Sequence, residues 1–92
     1  MTNIDWSKLI TKEMKETQRI IALMGEVTAE QGRRKKIADD SIQPLQDDHD
    51  TSDADDAGEA LLIAWKRYRS ALSKIQQQPG YPTAVEWPVP PN

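Results

Sequence analysis

The sequence predicts an all-α fold: an antiparallel helical hairpin with a long first helix and an extended, proline-rich C-terminal tail, built for coiled-coil-like self-association. Three observations carry this. Apolar residues recur at alternating spacings of four and three from Ile10 onward, and again from Leu61 to Ile75. An aspartate-rich stretch separates the two runs. Helical periodicity then ends at Pro79-Gly80, and the chain closes on a segment carrying Pro82, Pro88, Pro90 and Pro91.

Residues 2–6 hold no periodic segment; Ile4 and Trp6 alternate with polar neighbours and form an extended lead-in or a hydrophobic anchor. The long helix is expected over residues 7–46. Ile10, Met14, Thr17, Ile21, Met24 and Thr28 make the heptad seam of a helix packing against another helix. Lys12, Glu13, Lys15, Glu16 and Arg19 fill the outward face. The same frame continues through Gln31, Lys35, Ala38, Ile42 and Leu45, so the stripe turns polar before it recovers. Gly25 and Gly32 each weaken a helix by about 1 kcal/mol relative to Ala, which marks residues 29–32 as a place for a bend or break. Pro44 removes a backbone hydrogen bond and either kinks the helix or opens a short final segment.

Residues 47–55 are expected to be an acidic loop, because Asp47, Asp48, Asp50, Asp53 and Asp55 crowd like charges onto residues that cap helices better than they continue them. Asp56 followed by Glu59 resembles a capping box, and acidic residues suit a helix N-terminus, so the second helix starts at Asp55 or Asp56. It is expected over residues 56–77, with Leu61, Trp65, Tyr68, Leu72 and Ile75 as its inner seam and Lys66, Arg67, Arg69 and Lys74 opposite. Pro79-Gly80 is expected as the centre of a type II turn, with Gly supplying the positive φ. The tail, residues 78–92, then runs extended or as polyproline. In it, residues 84–87 either pair as a short strand or lie on a helix.

The two helices differ in length. At about 1.5 Å per residue the first spans roughly 60 Å and the second only about 30 Å. The second helix therefore covers only the back half of the first. Either the first helix folds at Gly32, or its front stripe pairs with another chain. The second reading assigns Ile10, Met14, Ile21 and Met24 to self-association, as a dimer.

Composition narrows the function. The 92 residues make one domain, with 37% hydrophobic and 29% charged residues, enough to line one side of a few helices. A net charge of -3 gives no general attraction to nucleic acid or anionic lipid. The chain has no cysteine, which removes disulfides, thiolate metal sites and cysteine nucleophiles. The opening residues lack the pattern of a signal peptide, and no apolar run approaches the roughly 20 residues of a membrane span. No catalytic arrangement, cofactor motif or metal-ligand cluster is apparent, so the expectation is a protein-binding module that is not an enzyme.

Individual clusters read as surface. Counted from Asp48, the acidic loop places Asp48, Asp50, Ser52, Asp56 and Glu59 at EF-hand ligand positions, so a calcium-binding helix-loop-helix is an alternative function. Against it, Asp53 stands where that loop requires Gly. Arg33, Arg34, Lys35 and Lys36 spread around a helix rather than forming one stripe, and Asp39 and Asp40 follow at once. They fit a solvated face or ion pairs. His49 is the one histidine, with no second nitrogen or sulfur donor nearby in sequence. The aromatic residues say more. Trp65 and Tyr68 suit the inner seam or a contact surface, and Tyr81, Trp87 and Pro88 are the candidates for gripping a partner.

The run Trp65-Lys66-Arg67-Tyr68-Arg69, followed by Leu72, Ile75, QPGYP and VEWPVPP, resembles the C-terminal signature of caudoviral tail fibre assembly proteins of phages and prophages. Upstream, IDWSKLITKEMK and ADDSIQPLQD resemble that family's central region, so the likeness covers nearly the whole chain. Members are commonly about twice this length, so the resemblance implies the family's C-terminal region or a short member. It implies a chaperone of the host cytoplasm that binds tail fibre subunits and assists their folding or oligomerisation. The alternative within the family is a permanent component of the virion tail, at the fibre tip.

Overall fold

The computed structural model describes residues 12–91. Among them stand two α-helices, α1 (Lys12–Asp50) and α2 (Asp56–Leu72), a short 3-10 turn at Ile75–Gln77, and no strand. The expectations placed on Ile4, Trp6 and Ile10 lie outside the described residues.

Helix α1 is continuous for 39 residues. It passes through Gly25, Gly32 and Pro44 without interruption, so the expected break at residues 29–32 is absent. Propensity costs of this size are local, and tertiary packing overrides them. The helix also runs four residues past the expected end, taking Asp47, Asp48, His49 and Asp50 with it. Gln43 and Gln46 donate to Asp47 and Asp50 one turn on, at 3.2 and 2.9 Å, which offsets the poor helical preference of aspartate.

The helix stops in a Schellman motif. The Asp53 amide donates to the Asp48 carbonyl at 2.8 Å and the Ser52 amide to the His49 carbonyl at 3.1 Å. Ser52 takes the left-handed position, with φ of 62°. Three residues later Asp55, rather than the Asp56 of the expected capping box with Glu59, caps α2, its carboxylate accepting from the Gly58 amide at 2.7 Å. His49 and Glu59 then join the facing helix ends at 2.8 Å.

The helices pack antiparallel in one register. His49 meets Glu59, Asp39 meets Arg69 at 3.0 Å, and Gln31 meets Gln76 at 2.7 Å. Ala38, Ile42, Leu62, Tyr68, Leu72 and Ile75 are buried. The heptad frame of α1 therefore holds through Ala38 and Ile42, while Gln31, Lys35 and Leu45 are half-buried along the same stripe. On α2 the seam departs from expectation: Leu62 is buried, and Leu61 is only half-buried. Its stripe steps back from Tyr68 to Trp65 to Leu62 by threes, moving sideways as the contact face does where helices cross.

The α-helical hydrogen bonding of α2 ends at Leu72, five residues before the expected boundary. The Ser73 amide is shared between the Arg69 and Ser70 carbonyls, and the Lys74 amide reaches Ala71, so the backbone tightens into the 3-10 turn. The exposed end of α2 meets Gln31, whose amide donates to the Leu72 carbonyl at 2.6 Å. The polar interruption of the α1 stripe thus lies where the second helix runs out and its carbonyls need donors.

Replacing Ser52 by Gly removes the steric cost of a Cβ in the left-handed region. Ser52→Gly is expected to stabilise the hairpin by about 0.5–1 kcal/mol, read as a higher urea midpoint at unchanged slope.

Candidate functional site

The tail folds back onto the hairpin and forms the most elaborate surface of the molecule. Gln78 directs it. Its side-chain amide donates to the Glu86 carbonyl at 2.7 Å, and its side-chain oxygen accepts from the Glu86 amide at 2.8 Å. One carboxamide thereby satisfies both backbone groups of Glu86, as a neighbouring strand would.

The intervening residues make the turn. The Tyr81 amide donates to the Gln78 carbonyl at 3.1 Å, which puts Pro79 and Gly80 at the centre of a β-turn as expected. The turn is not of type II, because Gly80 does not take a positive φ. Glycine is needed for a different reason. The Ala84 amide donates to the Gly80 carbonyl at 2.7 Å, and a Cβ at Gly80 would overlap the Ala84 carbonyl. Close backbone approach, rather than backbone sign, selects the residue. The Tyr81–Pro82 peptide is cis.

The route delivers Trp87 to the hairpin. Trp87 and Trp65 pack against the buried cluster of Ala38, Tyr68 and Leu72. The Arg34 guanidinium lies over the Trp87 ring, 4.7 Å from its centroid. Trp65 meets Tyr68 edge-on, with centroids 5.7 Å apart and planes at 84°. Arg34 is itself held by Glu30 at 2.7 Å, and Arg33 binds the same carboxylate at 2.6 Å. Hydrogen bonds from Arg33 and then Arg34 lower the Glu30 pKa, and the Glu30 bond raises that of Arg34, with Tyr68 adding in the same direction. The basic run is thus paired mainly within its own helix, Lys36 reaching Asp40 at 3.1 Å.

Between tail and α1 an open groove is lined by Leu23, Val27, Glu30, Pro82, Val85 and Trp87. Val27 is buried beside it. The tail therefore extends the cover over α1 beyond the reach of α2. Further toward the N-terminus, Met14 is 47% exposed, Ile21 62% and Met24 41%.

The expected partner-binding residues separate into two layers. Tyr68 is buried and supports the cluster from below, so it presents little surface to a partner. Trp65, Tyr81, Trp87 and Pro88 are half-buried and keep an outer edge. The sequence gives Gln31 and Gln78 no role beyond a polar gap in the stripe at Gln31, and it places Arg34 only in a basic run that fits a solvated face or ion pairs.

The acidic loop builds no cation site of the EF-hand kind. Asp48 and Asp50 belong to the last turn of α1, Glu59 is engaged by His49, and no group of three or more acidic or histidine side chains converges among the described residues. No helix among them is long and apolar enough to cross a membrane.

The family model of the Caudovirales tail fibre assembly protein, lambda gpK, matches residues 3–92. The chain belongs to this family. Neither the curated proteins nor the solved structures provide a match. The family match runs through both helices and the docked tail.

Three substitutions test how the tail is held. In a double-mutant cycle, Arg34→Ala and Trp87→Ala are expected to couple by about 0.5–1 kcal/mol in urea denaturation, and additive losses would show that the stacking contributes nothing. Gly80→Ala forces the turn open and is expected to cost about 1–3 kcal/mol, with Trp fluorescence shifting to the red as Trp87 leaves the cluster.

Proposed function

We propose that this tail fibre assembly protein acts as a chaperone that binds tail fibre subunits and assists their folding or oligomerisation in the host cytoplasm. The observation that carries the reading is family membership over essentially the whole chain, joined to a surface suited to protein contact.

Tyr81, Trp87 and Pro88, with the outer edge of Trp65, form the contact surface in this proposal. Half-buried aromatic residues keep a large apolar area available while the rest of each ring is locked by packing, which lowers the ordering cost of binding. Tyr68 acts from beneath by fixing Trp65 and Trp87. A fibre subunit before assembly exposes apolar surface, and a rigid aromatic ledge beside an open groove covers such surface through side-chain docking.

Co-expression with a phage tail fibre subunit tests the proposal. The expected result is a co-purifying complex and a gain in soluble, oligomeric fibre, with both reduced by Tyr81→Ala, whose side chain lies off the Trp87 cluster. No complex and no gain in fibre solubility would overturn it. Persistence of the protein in purified virions would instead favour the permanent fibre-tip component.

A further inference from the structure

We infer that the tail takes up an extended segment of the fibre subunit as an added β-strand, paired backbone to backbone along the edge of residues 85–87 that borders the groove. This deepens the fibre-binding proposal and rests on it. Gln78 fixes the geometry. Its carboxamide takes both the amide and the carbonyl of Glu86, at 2.8 and 2.7 Å, so both groups point to the same side. The Val85–Glu86 and Glu86–Trp87 peptides are trans, and in a trans peptide the carbonyl and the amide point opposite ways. The Val85 carbonyl and the Trp87 amide are therefore turned away from Gln78.

The open groove lies along that edge. Val85 and Trp87 line it, whereas Gln78 and Glu86 line a separate hollow beside Pro79 and Gly80. Neither the Val85 carbonyl nor the Trp87 amide has a hydrogen-bond partner among the described residues. An acceptor and a donor in this relation match one residue of a neighbouring strand, whose amide meets the first and whose carbonyl meets the second. Pro88 and Pro90 remove amides farther along, while Trp87 and Val89 keep theirs. The edge is short but preformed, because Trp87 is already packed on the hairpin and Glu86 is held by Gln78, so little ordering is left to the moment of binding.

The opposite wall of the groove selects what the strand carries. On α1, Leu23 and Val27 offer apolar contact, and Glu30 is already engaged by Arg33 and Arg34. Glu26 lines the same wall, exposed and without an ion-pair or hydrogen-bond partner among the described residues. The entering segment therefore sets an apolar side chain toward Leu23 and a lysine or arginine toward Glu26. A second copy of the tail does not meet this requirement. Over residues 78–92 its only charged side chain is Glu86, which would bring a carboxylate to a wall that already holds one.

Amide hydrogen exchange on the full chain, free and in complex with a phage tail fibre subunit, tests the added strand. In the free protein the Trp87 amide is expected to exchange fast and the Glu86 amide, bound by Gln78, more slowly. In the complex the Trp87 amide is expected to slow by about tenfold or more, with Glu86 little changed. Glu26→Lys, at an exposed helical position, is expected to weaken the complex about tenfold with unchanged helical circular dichroism. A complex in which Trp87 exchanges as fast as before, or which Glu26→Lys leaves at full strength, would overturn the added strand while leaving fibre binding in place. Slow Trp87 exchange in the free protein would overturn it as well, because the edge would already be taken. Failure to form any complex would overturn both this inference and the fibre-binding reading.

Discussion

The structure depends on the close approach of α1 and α2 at Ala38. A residue this small, fully buried, lets the Tyr68 ring and Leu72 reach the helix, and leaves room for Trp87 above them. A larger side chain there would separate the helices and remove the floor on which the tail rests. Register, tail docking and the partly exposed aromatic ledge all follow from that contact. With only seven buried apolar residues among those described, the hairpin has little core to spare, and each contact around Ala38 carries a large share of its stability.

Polar side chains complete what the small core cannot. Gln31 supplies a donor where α2 ends, and Gln78 supplies both partners to an otherwise unpaired tail residue. No buried side-chain nitrogen or oxygen lacks a partner among the described residues. These amides act where regular secondary structure stops and backbone groups are left over. They also explain how a segment rich in proline, which cannot contribute its own amides at those positions, is held in one path without a sheet.

The molecule thus divides into a covered rear and an uncovered front. The rear combines two helices and the tail into a ledge whose half-buried aromatics suit the contact expected of a tail fibre assembly protein. The front leaves an uncharged helical stripe open. The difference arises from length: α2 is 17 residues and α1 is 39, and the tail adds only enough cover to reach Val27 and Leu23.

Helix identity, the α1 stripe through Ala38 and Ile42, the start of α2 at the aspartate cap and the length mismatch were all legible in the sequence, because each rests on spacing or on local capping chemistry. The family was legible too, in the Trp65 to Arg69 run and the Trp-Pro ending. Other features were decided by tertiary structure. Helix α1 continued through Gly32 and past Gln46 because neighbours outweighed propensities of about 1 kcal/mol. Leu62 replaced Leu61 because helix crossing moves the contact face. Gly80 is required by the Ala84 carbonyl facing it, a contact that turn statistics do not contain. Trp87 found Arg34 across more than fifty residues of chain, and no local pattern encodes a meeting of that separation. Spacing determines which face of a helix is sticky; only the folded chain determines which faces are already taken.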